Sequence, residues 1–150
     1  MEDGDSAAFA SDGMRGMTAN TYEGGCHCGR VRFRIQVDLD ESIIGECNCS
    51  VCTKKGILHL PVAYERLEIL SGADALSTYT FNSGVAKHTF CRYCGIHPFY
   101  QPRSDPENYS VNARCLDNYD PQTTRPRRLF EGKNWEDAFA RRSAEWAAKH

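Results

Sequence analysis

Seven of the chain's eight cysteines fall into three tight groups. These are Cys26-His27-Cys28, Cys47-Asn48-Cys49-Ser50-Val51-Cys52 and Cys91-Arg92-Tyr93-Cys94, while Cys115 stands apart. Clustered thiols can pair as disulfides, bind a metal or do redox chemistry. Eight thiols would allow 105 complete pairings, and disulfides need an oxidising compartment. The start, Met1 to Asp5, is acidic and no apolar stretch follows it, so no secretory signal is expected. A cytoplasmic location follows as the expectation. There, grouped cysteines point to metal. Soft thiolates select zinc, Cu(I) or iron–sulfur clusters. Zinc is the expected ion, and an iron–sulfur cluster is its inorganic rival.

The second cysteine of each flanking pair is followed by glycine, Cys28-Gly29 and Cys94-Gly95. Glycine there permits the tight turn that wraps backbone amides around a metal-bound sulfur. The middle group has no such glycine. This difference suggests a partition. Cys26, Cys28, Cys91 and Cys94 would form a closed structural site of four thiolates. Cys47, Cys49 and Cys52 would give three ligands and an open fourth position, the pattern of a catalytic zinc. The alternative pairs the first and middle groups around a single zinc. Cys115 or a histidine could also close the three-thiolate site.

Three thiolates around a zinc ion give a formal charge of −1, from +2 − 3. Such an ion is a weak Lewis acid, poorly suited to acidifying water. It still accepts a soft ligand, and a bound substrate thiol would be held as thiolate, ready to attack an electrophilic carbon. Thiol chemistry is therefore expected rather than hydrolysis. Among other polar residues, His27 reads as a solvent-facing turn residue. His59 and His88 read as satisfied sheet residues, and His97 as a candidate facing a site. Lys54, Lys55, Arg92 and Arg114 lie near the cysteines in sequence and read as solvated charges that could meet an acidic substrate.

The elements that must position these groups are mostly strands. Val31, Phe33, Ile35 and Val37 alternate with Arg32, Arg34 and Gln36, which predicts a half-buried strand. Further strands are expected from Ile43, over Ile57 to Ala63, Leu67 to Leu70, Phe99 to Gln101 and Tyr109 to Ala113. Leu76 to Phe81 and Val85 to Phe90 flank Asn82-Ser83-Gly84 and predict a hairpin that runs into Cys91. Prolines 98, 102, 106, 121 and 126 forbid a long helix in the second half. The expected helix is C-terminal, capped by Asn134, with Trp135, Ala138, Phe139 and Trp146 on one face. Residues 1–20 lack any period and are expected to be a disordered tail before a zinc-binding domain over 21–150.

Composition sets the outer limits. The chain has 150 residues, 41% hydrophobic and 25% charged, with a net charge of −2. One domain with a real core is expected. The charge argues against a general nucleic-acid binder, and no run approaches the ~18 apolar residues of a membrane span.

Gly24-Gly25-Cys26-His27-Cys28-Gly29, the Cys47–Cys52 group and Phe90-Cys91-Arg92-Tyr93-Cys94-Gly95 together resemble the glutathione-dependent formaldehyde-activating enzyme family, which includes the centromere protein V type. The resemblance runs from about Tyr22 to the Asn112–Asp117 segment and weakly into Gly132-Lys133-Asn134-Trp135-Glu136. It implies a mainly β, Mss4-like domain stabilised by zinc, with two zinc ions per chain. It assigns Cys26, Cys28, Cys91 and Cys94 to the structural ion and Cys47, Cys49 and Cys52 to the catalytic one. It also implies a carbon–sulfur lyase-like reaction that joins glutathione to formaldehyde or releases it. The competing expectation is a non-catalytic zinc module that binds a protein or chromatin partner. Such a role would favour a long basic or Pro-rich extension, whereas the N-terminal stretch here is short and acidic.

Overall fold

The computed structural model describes residues 20–120 and 128–149. Of the expected tail at 1–20, residues 1–19 lie outside the described residues, as do Pro121 and Pro126, whereas Asn20 already belongs to the first strand. The fold is mainly β with a C-terminal helix, as the sequence predicts. A first sheet has the order β1-β2-β5, with β1 Asn20–Gly25, β2 Arg32–Val37 and β5 Leu67–Ser71. A second sheet contains β3 Gly45–Cys47, β4 His59–Ala63, β8 Phe99–Tyr100, β9 Asn108–Asn112 and β10 Arg128–Phe130, in the order β10-β3-β4-β9-β8. The expected hairpin forms a third, with β6 Leu76–Tyr79 against β7 His88–Cys91. Its connection uses Asn82 at φ 53° and Gly84 at φ 73°.

Apolar side chains of the first two sheets meet in one core. Phe33 and Ile35 of β2 pack with Leu60 of β4, Phe99 of β8 and Val111 of β9, all buried. The Phe33 and Phe99 rings meet edge to face at 5.6 Å. Burial of each such side chain contributes on the order of 1.5–3 kcal/mol.

β2 departs from the expected half-buried strand. Arg34 and Gln36 are buried as well. Register explains how Arg34 tolerates this. It lies opposite Glu23 of β1 and Glu68 of β5. Its Nε and Nη2 donate to Glu23 Oε2 at 3.1 and 3.0 Å, and Nη1 donates to Glu68 Oε1 at 3.4 Å. A charge this deep persists only when it is paired.

Two helices complete the described chain. α1, Ser50–Lys55, was not expected, because its residues carry no apolar period; Gly56 ends it in the left-handed conformation. α2, Trp135–Lys149, follows a 3-10 turn over Gly132–Asn134. Its first turns dock as expected, with Ala138 buried and Trp135 stacked on Phe139 at 4.9 Å. Trp146 was expected on the same face and is instead 64% exposed. α2 reaches the body of the domain through Trp135 beside Phe130, through Arg142 on the Ser104 carbonyl, and through Glu145 paired with Arg128.

The Arg34 cluster makes a graded prediction. Glu23→Ala removes both good hydrogen bonds from a buried guanidinium and should cost about 2–3 kcal/mol. Glu68→Ala removes one long bond from a half-exposed carboxylate and should cost less than about 1 kcal/mol. Urea unfolding of both variants checks the order; equal losses would contradict the asymmetry.

Candidate metal centre

The two flanking pairs converge although they come from distant parts of the chain. Cys26 and Cys28 follow β1, while Cys91 ends β7. Cys28 Sγ lies 3.6 Å from Cys26 Sγ and 3.7 Å from Cys91 Sγ, and all four sulfurs, Cys94 included, lie within 4.8 Å of one another. Four thiolates about 2.3 Å from a tetrahedral zinc sit roughly 3.8 Å apart. The two edges that meet at Cys28 therefore match those of a metal tetrahedron, and the other sulfurs lie close enough to join them. Both turns use the expected glycines at positive φ, Gly29 at 86° and Gly95 at 80°. The backbone N–H of Val31 donates to Cys26 Sγ at 3.3 Å. Arg30 lowers the Cys28 thiol to about 6, first through its backbone N–H and then through its guanidinium. These are surroundings that favour thiolates, and thiolates are what a metal binds.

The middle group converges separately. Cys47 ends β3, Cys49 stands just before α1, and Cys52 lies in its first turn. Their sulfurs fall within 4.8 Å of one another, and among the described residues no fourth metal-binding side chain joins them at that spacing. Hydrogen bonds from Cys47 and Cys52 push the Cys49 thiol far down, and the amides of Cys52 and Val51 add to this. The same contacts push Cys52 up. The group thus concentrates negative charge on one sulfur. Its three soft donors suit a metal with a further position to fill. The alternative in which the first and middle groups share one ion is not what the geometry gives: Cys26 and Cys28 gather with Cys91 and Cys94, and the middle group stands by itself. Nor does Cys115 complete the middle group. Its thiol is pushed up to about 12 by burial and then by Cys26 and Cys94, and it donates to the His97 carbonyl at 3.7 Å.

The C-terminal segment clamps the middle group. β10 runs parallel to β3, with Phe130 opposite Cys47. Asn48 holds both sides of the following turn, donating to Glu131 Oε1 at 2.9 Å and accepting from the Lys133 N–H at 3.0 Å. Gly132 is pressed against the cysteines. A Cβ there would collide with Cys47 Sγ and come within 2.8 Å of Cys49 Cβ.

A cleft of about 970 Å³ opens beside Cys47, Cys49 and Cys52. Arg103, Arg128 and Arg142 line it together with Phe81, His88 and Tyr100. Arg103 lies 3.6 Å over the Trp135 ring and pairs with Glu136 at 2.8 Å. Arg142 donates to the Ser104 carbonyl at 3.0 Å. Of the basic residues singled out from sequence, Lys55 proves to be half-buried rather than solvated. Its Nζ is 3.1 Å from His88 Nδ1 and 3.9 Å from the centre of the Tyr100 ring. Burial lowers its pKa to about 8, with the three cysteines pulling the other way.

His88 is no ordinary sheet residue either; it stacks on Tyr100 at 4.8 Å and faces the cleft. His97 lies apart from the three cysteines' cleft and bonds the Thr89 carbonyl at 3.1 Å. His27 is exposed, as expected. The three arginines, Tyr100 and Gly132 carried no local motif, because they come from separate elements that only the fold brings together.

Residues 21–134 match the family described as glutathione-dependent formaldehyde-activating enzyme. The chain belongs to that family. It is also similar to a Rhodobacter sphaeroides protein of known crystal structure, at 34% identity, over 71% of this chain and 98% of that one, with a TM-score of 0.66. The family match reaches Asn134, so it includes the Gly132 clamp as well as the three cysteine groups. No helix among the described residues is long and apolar enough to cross a membrane.

The close approach of Gly132 yields a prediction. Gly132→Ala should displace Cys47 and Cys49 and abolish metal binding at the middle group, with the four-thiol group left intact. Metal content per chain, read beside circular dichroism, tests this. Undiminished metal in a folded variant would show that the turn can move freely.

Proposed function

We propose that the protein reversibly adds a thiol of the glutathione type to a small aldehyde such as formaldehyde, acting as a carbon–sulfur lyase-like enzyme. Cys26, Cys28, Cys91 and Cys94 hold a structural zinc, and Cys47, Cys49 and Cys52 hold a catalytic one. The observation that carries this reading is the contrast between the groups. One has four convergent thiols, whereas the other has three beside a cleft. When bound there, zinc supplies a soft position that favours a substrate thiol in its thiolate form.

The chain's own residues supply the rest. Arg103, Arg128, Arg142 and Lys133 line the cleft beside Glu41, Glu46 and Asp105, a mixed lining whose cations can meet the carboxylates of a thiol peptide. Phe81, His88 and Tyr100 form an aromatic wall of the cleft, with Phe81 stacked on His88 at 5.5 Å and His88 on Tyr100 at 4.8 Å. The clamp at Asn48 and Gly132 holds Cys47 and Cys49 at fixed positions. Reduced thiols are required throughout, which fits a cytoplasmic setting.

Two substitutions separate the sites. Cys94→Ser breaks a link between segments far apart in sequence. Structural zinc contributes on the order of 10 kcal/mol to folding in small zinc peptides, so this variant should be largely unfolded or insoluble. Cys49→Ser breaks a site whose three ligands lie in one short stretch and close only short loops. It should keep its fold and the four-thiolate zinc, lose the second zinc, and lose turnover with glutathione plus formaldehyde. Full activity in Cys49→Ser would place the chemistry elsewhere. Unfolding as severe as that of Cys94→Ser would make the middle group structural.

A further inference from the structure

His59, on β4, lines the same cleft as Cys47, Cys49 and Cys52. Its Nδ1 lies 2.8 Å from Ser110 Oγ on β9 and 3.3 Å from the Tyr100 hydroxyl on β8. Its Nε2 is buried and has no partner among the described residues. A buried polar nitrogen without a partner costs about 1–3 kcal/mol, so natural proteins keep such groups where something else meets them.

Ser110 is buried, and its hydroxyl and that of Tyr100 both meet His59 at Nδ1. When Nδ1 accepts from the Ser110 O–H, the ring proton stands on Nε2. Burial, followed by the charge of Lys55, lowers the His59 pKa to about 4, so the ring is neutral near pH 7. In that tautomer a neutral, buried N–H of a cleft-lining residue has no acceptor among the described residues. His59 does not join the three cysteines as a metal-binding group.

We propose that His59 Nε2–H is the donor that receives the aldehyde oxygen, a catalytic role that rests on the thiol–aldehyde reading above. The thiolate sulfur attacks the carbonyl carbon. A carbon–sulfur bond forms, and the π electrons of the C=O bond move onto oxygen. The His59 N–H stabilises that growing negative charge, as a preorganised oxyanion donor does. The proton given up by the thiol ends on this oxygen, producing the S-hydroxymethyl adduct, and His59 finishes as it began. In the reverse direction the same donor holds the departing carbonyl oxygen.

The test uses the full-length, metal-loaded protein labelled with ¹⁵N-histidine. Its free spectrum should show His59 as the Nε2–H tautomer. Adding glutathione with formaldehyde, which forms the hydroxymethyl adduct, should shift the Nε2 resonance. S-ethylglutathione, which has a methyl in place of the hydroxyl, should leave it where it was. An Nδ1–H tautomer, equal shifts with both compounds, or no shift with either would overturn the proposal. Calorimetry with glutathione alone separates the two levels. If glutathione does not bind, the thiol reading falls and this inference falls with it; if it binds and the adduct leaves His59 unmoved, only the inference falls. In kinetics, His59→Phe should lower turnover at saturating thiol by roughly 10²-fold, with glutathione affinity and metal content unchanged. His59→Gln, which keeps an N–H donor, should recover part of that loss. Full turnover in His59→Phe would also overturn the assignment.

Discussion

The meeting of Cys28 and Cys91, 63 residues apart in sequence, is the constraint on which the architecture depends. One sulfur pair follows the edge strand of the first sheet, and the other follows the last strand of the hairpin. Bringing them together closes a long loop, and that entropy must be offset by whatever binds the four thiols. Once closed, the loop sets where β7 ends and therefore where Phe99 and Tyr100 of β8 lie. Phe99 then enters the core against Phe33, while Tyr100 turns towards the middle cysteines.

The middle group depends on the fold in a different way. Its three cysteines are local, so the chain needs no distant thiol to gather them. What comes from afar is the support. β10 pairs with β3, Gly132 packs against Cys47 and Cys49, and α2 contributes Arg142 to the cleft. On the proposed reading, the four-thiol group serves stability and the supported three-thiol group serves chemistry. Lys55 adds a half-buried cation over the Tyr100 ring, where it offsets part of the negative charge that thiolates would bring.

Much of this was legible from sequence. The division of seven cysteines into four and three followed from two glycines, and both adopt the positive φ that the reading required. β4, β5, β9 and the β6–β7 hairpin followed from apolar runs and turn residues. The losses have physical causes. β1 contains two glycines and no alternation, and β10 is a three-residue parallel edge strand that exists only because β3 is beside it. α1 is too short to show a period. Arg34 looked solvent-facing because alternation cannot reveal that carboxylates wait on both neighbouring strands. His59 and His88 looked like satisfied sheet residues because a strand carries no mark of the cavity it will border.

The central claim is that the middle cysteines leave a position for a substrate thiol, whereas the four-thiol group does not. Cobalt(II) placed in both sites reports this directly, because each added thiolate strengthens sulfur-to-cobalt charge-transfer absorption. Titration with glutathione should increase that absorption by the contribution of one further thiolate per chain, and S-methylglutathione should not. A spectrum unchanged by glutathione would contradict the account.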